Sequence, residues 1–114
     1  MIVRKDAAAV IPFEGLVVHD FTQGQNTSSS FAIIDVPPGA LHRRAFSKRS
    51  DKYYYVVSGQ IAFTIDDVEH VVNAGDFCLI AQGRRFSYRN LTALPAVLAL
   101  VHTPRFDLQF EVFV

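Results

Sequence analysis

Cysteine occurs once, at Cys78. That excludes an internal disulfide framework and fits a reducing compartment. In its setting it reads as a small apolar strand side chain. An excess of charge of either sign is also missing: eleven Lys and Arg balance eleven Asp and Glu, so the total gives no reason to expect a nucleic-acid partner. No long apolar run is present. Met1-Ile2-Val3-Arg4-Lys5-Asp6 is followed only by the short stretch Ala7 to Ile11, too brief and interrupted for a membrane span or signal peptide. The expectation is a soluble, cytoplasmic protein without a membrane partner. Helix-period spacing of apolar residues is absent as well.

Half of the 114 residues are apolar and 19% are charged. Such a chain builds one core and one domain, 1–114, and is not disordered. Its pattern is that of strands. Ile61, Phe63 and Ile65 alternate with Ala62, Thr64 and Asp66, and Phe106, Leu108, Phe110, Val112 and Val114 alternate with Asp107, Gln109 and Glu111. Further strands are expected at 15–21, 29–36, 41–47, 52–57, 68–73, 77–81, 86–90 and 96–102. Turn residues separate them: Pro37-Pro38-Gly39, Ser58-Gly59, Asp66-Asp67, Asn73-Ala74-Gly75-Asp76, Gln82-Gly83 and Thr103-Pro104. Polar residues 23–30 read as a loop. Many short strands at this spacing predict an all-β sandwich or barrel.

Two segments have a more specific pattern. Gly39 and Gly59 frame one, with Ala45, Ser47 and Lys52 at fixed offsets between them. Gly75 opens the other, followed by Ala81, Gly83, Phe86 and Asn90. In spacing these resemble the two motifs of the cupin family, over roughly residues 31–105. The resemblance implies a double-stranded β-helix, an RmlC-like jelly-roll barrel. It also places Ala45, Ser47, Lys52 and Phe86 where other cupins carry the His, His, Glu and His that bind a metal. Ala45 and Phe86 offer no donor atom, Ser47 offers a poor neutral oxygen, and Lys52 repels a cation. No metal and no other cofactor is therefore expected. His42, three residues before Ala45, falls on the opposite face of an unbroken strand, and a substitute ligand set of His42, His70 and His102 has no supporting spacing.

If Ala45, Ser47, Lys52 and Phe86 point into the barrel, strand parity sends Arg43, Tyr54, Arg84 and Tyr88 inward as well. Eight of the eleven basic residues lie in two segments, Arg43, Arg44, Lys48, Arg49 and Lys52 in one and Arg84, Arg85 and Arg89 in the other, against the single acid Asp51. The resemblance brings these segments side by side, which predicts a basic mouth suited to carboxylate or phosphate. The expected ligand site is Arg43, Ser47, Lys52, Tyr54, Arg84, Phe86, Tyr88 and His102.

Three functions remain open at this point. The first is metal-independent binding of a small, anionic metabolite. The second is metal-free isomerisation or epimerisation of a carbonyl or sugar substrate, with His102 as the acid/base group. The third is a metalloprotein with an unorthodox ligand set. Tyr53, Tyr55 and Val57 alternate with the inward positions and suit packing against a second subunit. The C-terminal strand, left as a free edge, invites pairing too, so a homodimer is expected.

Overall fold

The alternating segments fold into eleven strands, and the computed structural model describes residues 1–114. In chain order they are β1 (Ala9–Phe13), β2 (Leu16–Asp20), β3 (Ser30–Val36), β4 (Leu41–Ser47), β5 (Asp51–Ser58), β6 (Gln60–Ile65), β7 (Val68–Asn73), β8 (Phe77–Ile80), β9 (Phe86–Arg89), β10 (Ala96–Thr103) and β11 (Glu111–Phe113). A six-stranded sheet runs β1-β2-β3-β10-β5-β8 and a five-stranded sheet runs β11-β4-β9-β6-β7, and every pairing is antiparallel. This is the jelly-roll barrel expected from the turn framework. No helix is long and apolar enough to cross a membrane.

Strict alternation in β10 shows why the sheet has an inside. Ala96, Leu98, Leu100 and His102 are buried, and the residues between them are half-exposed. The inward rows of both sheets meet in one core that includes Ile34, Val36, Val56, Ile61, Phe63 and Leu98. Interdigitated side chains of this kind, removed from water, supply the main favourable term of folding. Two residues of the turn framework are fixed by what they touch. Gly59 has φ +79°, and a Cβ there would lie 2.8 Å from the Ala96 Cα and the Pro95 carbonyl oxygen, so no side chain fits. Asn90 is buried. Its Nδ2 donates to the carbonyls of Val36 and Leu94 at 3.0 and 2.7 Å, and its Oδ1 accepts from the Thr92 amide. The amide thus closes the β9–β10 loop onto the end of β3.

Both chain ends depart from the sequence expectation. Ala9–Phe13 forms β1, paired along its length with β2, where only a short apolar stretch was read. The expected strand over 106–114 is instead a 3-10 turn, Leu108–Phe110, followed by the three residues of β11. Asp107 causes the break: its side chain accepts from the Gln109 amide and its carbonyl from the Phe110 amide. The turn shifts the parity that follows. Glu111 and Phe113 pair with the inward Ser47 and Ala45, and Val112 pairs with Phe46, the reverse of the alternation read from the sequence.

Candidate functional site

Ala45, Ser47, Lys52 and Phe86 line one end of the barrel, all of them buried. Ala45 is the cross-strand partner of Phe86, Lys52 Nζ lies 5.5 Å from the centre of the Phe86 ring, and Ser47 pairs with Glu111. These side chains do not fit a transition metal. Two have no lone pair to give. Ser47 Oγ is already an acceptor for the Arg49 and Ser50 amides at 3.2 and 2.9 Å, which caps the β4–β5 turn. Lys52 brings a cation of its own. No group of three His, Cys, Asp or Glu side chains elsewhere converges as a ligand set.

His42 is not on the opposite face. Across the β4–β9 pairing, His42 faces Tyr88 and Ala45 faces Phe86, so three steps on one strand match two on the other. This β-bulge inserts one residue and reverses the parity of everything before it. His42 is thereby turned into the barrel, and Arg43 is turned out of it. The imidazole stacks on Phe86 and Tyr88, with ring centres 5.0 and 5.2 Å away and planes 29° apart in both cases. Phe13 and Phe113 close over it at 5.6 and 6.2 Å. Its Nδ1 lies 2.7 Å from the Arg43 carbonyl. That contact suits an N–H at Nδ1, leaving the Nε2 lone pair free. Burial holds the His42 pKa below the ordinary histidine value, with the Lys52 charge adding to the effect and the Arg43 carbonyl opposing it.

Tyr54 and Tyr88 complete the aromatic wall, with ring centres 5.7 Å apart. Both are buried, and burial raises both phenol pKa values above the ordinary one. The Tyr88 hydroxyl is sealed from solvent; the Tyr54 hydroxyl is near enough to oppose the rise in its pKa, but no group meets it at hydrogen-bond geometry. An orphaned buried hydroxyl costs free energy and calls for an explanation.

Beside this wall lies a charged cluster. Lys52 Nζ is 2.8 Å from His102 Nε2 and forms an ion pair with Glu111. Both side chains of the pair are almost wholly buried, at 4% and 8% exposure. The ammonium has only protons to donate, so His102 Nε2 accepts and that imidazole is neutral. Burial first, then the neighbouring Lys52 charge, pushes its pKa down to about 3. Burial likewise lowers the Lys52 pKa, against the opposing pull of Glu111. Glu111 was absent from the sequence reading because alternation put it on the outward face.

Of the expected site, the structure brings together Ser47, Lys52, Tyr54, Phe86, Tyr88 and His102, and adds His42 and Glu111. Arg43 and Arg84 are corrections. Arg43 is exposed, bonds Glu14 at 3.1 Å and lies over the Phe113 ring at 4.1 Å. Arg84 is exposed and pairs with Asp66. The basic mouth is also neutralised from outside the two segments: Arg44 meets Asp67 and Arg89 meets Glu69, each at 3.4 Å. Two surface depressions are present: one of about 480 Å³ is lined by residues including His70 and Arg84, the other, of about 280 Å³, by residues including His42, Arg43 and Tyr88, and neither is lined by Lys52.

The family model described as Cupin domain matches residues 32–102, more than half of the chain. No curated protein matches the sequence. Among solved structures, Streptomyces Pac13, described as a unique nucleoside dehydratase, superposes with a TM-score of 0.87 at 23% identity, covering 100% of this chain and 90% of that one. KdgF from Halomonas sp. gives 0.83 at 15% identity, covering 96% and 97%. A Thermotoga maritima protein described as a predicted oxalate decarboxylase gives 0.81 at 18% identity, covering 91% and 99%.

Proposed function

The chain belongs to the cupin family, and within it we propose a metal-independent acid–base catalyst that takes a small sugar- or nucleoside-type ligand into the barrel. One observation carries this reading: a neutral imidazole, His42, stacked on Phe86 and Tyr88 beside a buried Tyr88 hydroxyl that has no partner. His42 Nε2 is the proton acceptor, toward a C–H next to a carbonyl. Tyr88 is the hydrogen-bond donor, to the developing enolate oxygen or to a departing hydroxyl. The raised phenol pKa keeps Tyr88 protonated for that purpose. The lowered imidazole pKa keeps His42 unprotonated at neutral pH. His42 takes the role first assigned to His102, whose Nε2 is committed to Lys52.

The neighbours support the ligand class. Pac13 is described as a nucleoside dehydratase, and variants of it solved with uridine replace a histidine and two tyrosines. Another neighbour is described as a sugar phosphate isomerase. The test uses protein purified in the presence of a chelator. It is titrated with uridine and incubated in D2O with ribulose while the protons next to the carbonyl are followed by NMR. Uridine binding and proton exchange above the buffer rate are expected, with exchange removed by His42→Gln and by Tyr88→Phe. Exchange that requires added metal, or that survives in His42→Gln, overturns the reading.

A further inference from the structure

We infer that Glu111 is a built-in substitute for a ligand's carboxylate: it covers the Lys52 ammonium, and a small carboxylate ligand binds by displacing it together with β11. This rests on the acid–base reading above and narrows its ligand class to sugar-type molecules that carry a carboxylate; a neutral ligand such as uridine or ribulose meets only the small open fraction of chains and binds correspondingly weakly.

Lys52 stands at one of the positions where the family fold holds its ion, and its ammonium faces the barrel interior, against the Phe86 ring and His102. A desolvated cation needs an anion close by. The one supplied is a carboxylate carried by the shortest strand of the fold. β11 has three residues, lies at the edge of its sheet and pairs only with β4. The 3-10 turn before it contains no buried residue. Beyond the ladder, two backbone bonds tie the segment down, from Lys48 N to the Phe110 carbonyl and from Val114 N to the Arg44 carbonyl. Terminal edge strands with few buried contacts open at a small fraction of the global unfolding free energy.

Departure of β11 has two effects at once. It withdraws Glu111 from Lys52, and it withdraws Phe113 from its place over His42 and against Phe13. The anchor is then uncovered and the proton acceptor is left covered by Phe13 alone, both beside Phe86, which lies 5.5 Å from Lys52 Nζ and 5.0 Å from the His42 ring. Exchange of one carboxylate for another leaves the buried charge balanced. A neutral analogue cannot replace Glu111 without leaving Lys52 unpaired. The closed state competes with the ligand, so apparent affinity falls with the fraction of chains that are open.

The full chain is titrated with glycolate and with its neutral amide, glycolamide, and the His102 imidazole protons are followed by NMR. Glu111→Gln removes the competing charge at nearly constant size, and glycolate is expected to bind about ten-fold or more tightly than to the wild type. In a second variant, Phe46→Cys with Val112→Cys, a disulfide pins β11 to β4. The two positions are cross-strand partners, and such pairs lie within bridging range. Oxidation is expected to weaken glycolate binding about ten-fold or more, and reduction to restore it. Glycolamide shifts nothing in any form. Unchanged affinity in Glu111→Gln, or undiminished binding in the oxidised lock, overturns the inference. Should Glu111→Gln fail to fold, the lock decides alone, since it keeps both Lys52 and Glu111. Loss of proton exchange in His42→Gln together with a lock that has no effect removes this inference and leaves the acid–base reading intact. A lock that works in a protein without exchange does the reverse.

Discussion

The Lys52 ammonium donates to His102 Nε2 at 2.8 Å, and the two are cross-strand partners between β5 and β10. This contact exists only while His102 is neutral, which gives the fold a pH dependence of definite sign. His102 has a folded pKa of about 3 against an ordinary 6.5. Between those values the unfolded chain binds the extra proton, so stability rises with pH through the window and is lost on acidification from about 6.5 toward 3. Denaturant unfolding at pH 7 and pH 4 should differ by about 3 kcal/mol from this group, with His42 adding in the same direction. Replacement by leucine, His102→Leu, should flatten the profile. A wild-type stability that is constant from pH 7 to pH 4 contradicts this account.

The Lys52–Glu111 pair should be expensive to break and cheap to remove. Glu111→Leu leaves the Lys52 ammonium, held on β5 between β10 and β8, buried without a counter-charge, at an expected cost of about 3–5 kcal/mol. Adding Lys52→Met to that variant should recover most of the loss, since an apolar pair of similar volume avoids desolvating two ions. A double-mutant cycle in urea measures the coupling. Additive losses in the two single variants would show that the pair is not energetically linked.

The barrel was legible in the sequence because its signals are local. Gly59 and Asn90 announce turns wherever they stand, and the Ala96–Thr103 alternation is intact in the structure. The site was only half legible because its decisive features are not local. One inserted residue between His42 and Ala45 reverses parity, and nothing in the letters His-Arg-Arg-Ala marks the bulge. Strand parity points Arg43 and Arg84 into the cavity; the bulge turns Arg43 out, Arg84 lies in the turn before β9 and not on a strand, and Glu14 and Asp66, which hold them outside, lie 29 and 18 positions away. Glu111 is 59 positions from Lys52, and Asp107 redirects the chain just before it. One signal was available: a lysine at an inward position requires an acid, and the apparent alternation of 106–114 concealed it.

Tyr88→Phe should separate function from folding. The hydroxyl is buried and unpartnered, so its removal relieves a desolvation penalty and costs only a small void. The variant is expected to match the wild type within about 1 kcal/mol, or to exceed it, while losing proton exchange and weakening uridine binding. A melting temperature well below wild type would assign the hydroxyl to the fold instead.

The outer face of the six-stranded sheet is expected to be covered by a second copy of the chain. One cross-strand row runs Val10, His19, Ile33, Ala99, Tyr55 and Phe77, and the next runs Phe31, Val101, Tyr53 and Leu79. Phe77 is 59% exposed and Tyr55 47%. The charged members of this face are few, and His19 is paired with Asp35 at 2.8 Å. A contiguous row of apolar side chains crossing six strands is the kind of surface that marks a contact with another protein. A two-fold axis would stack it on itself without any strand leaving its own barrel. Tyr55→Lys with Phe77→Lys places two charges per chain on that face. Neither side chain is in the core, so the fold should change by less than about 0.5 kcal/mol per site. Sedimentation should then give twice 12.7 kDa for the wild type and a single chain of that mass for the variant. A wild type that sediments as one chain at micromolar concentration, or a variant that remains paired, would rule out this face as the contact.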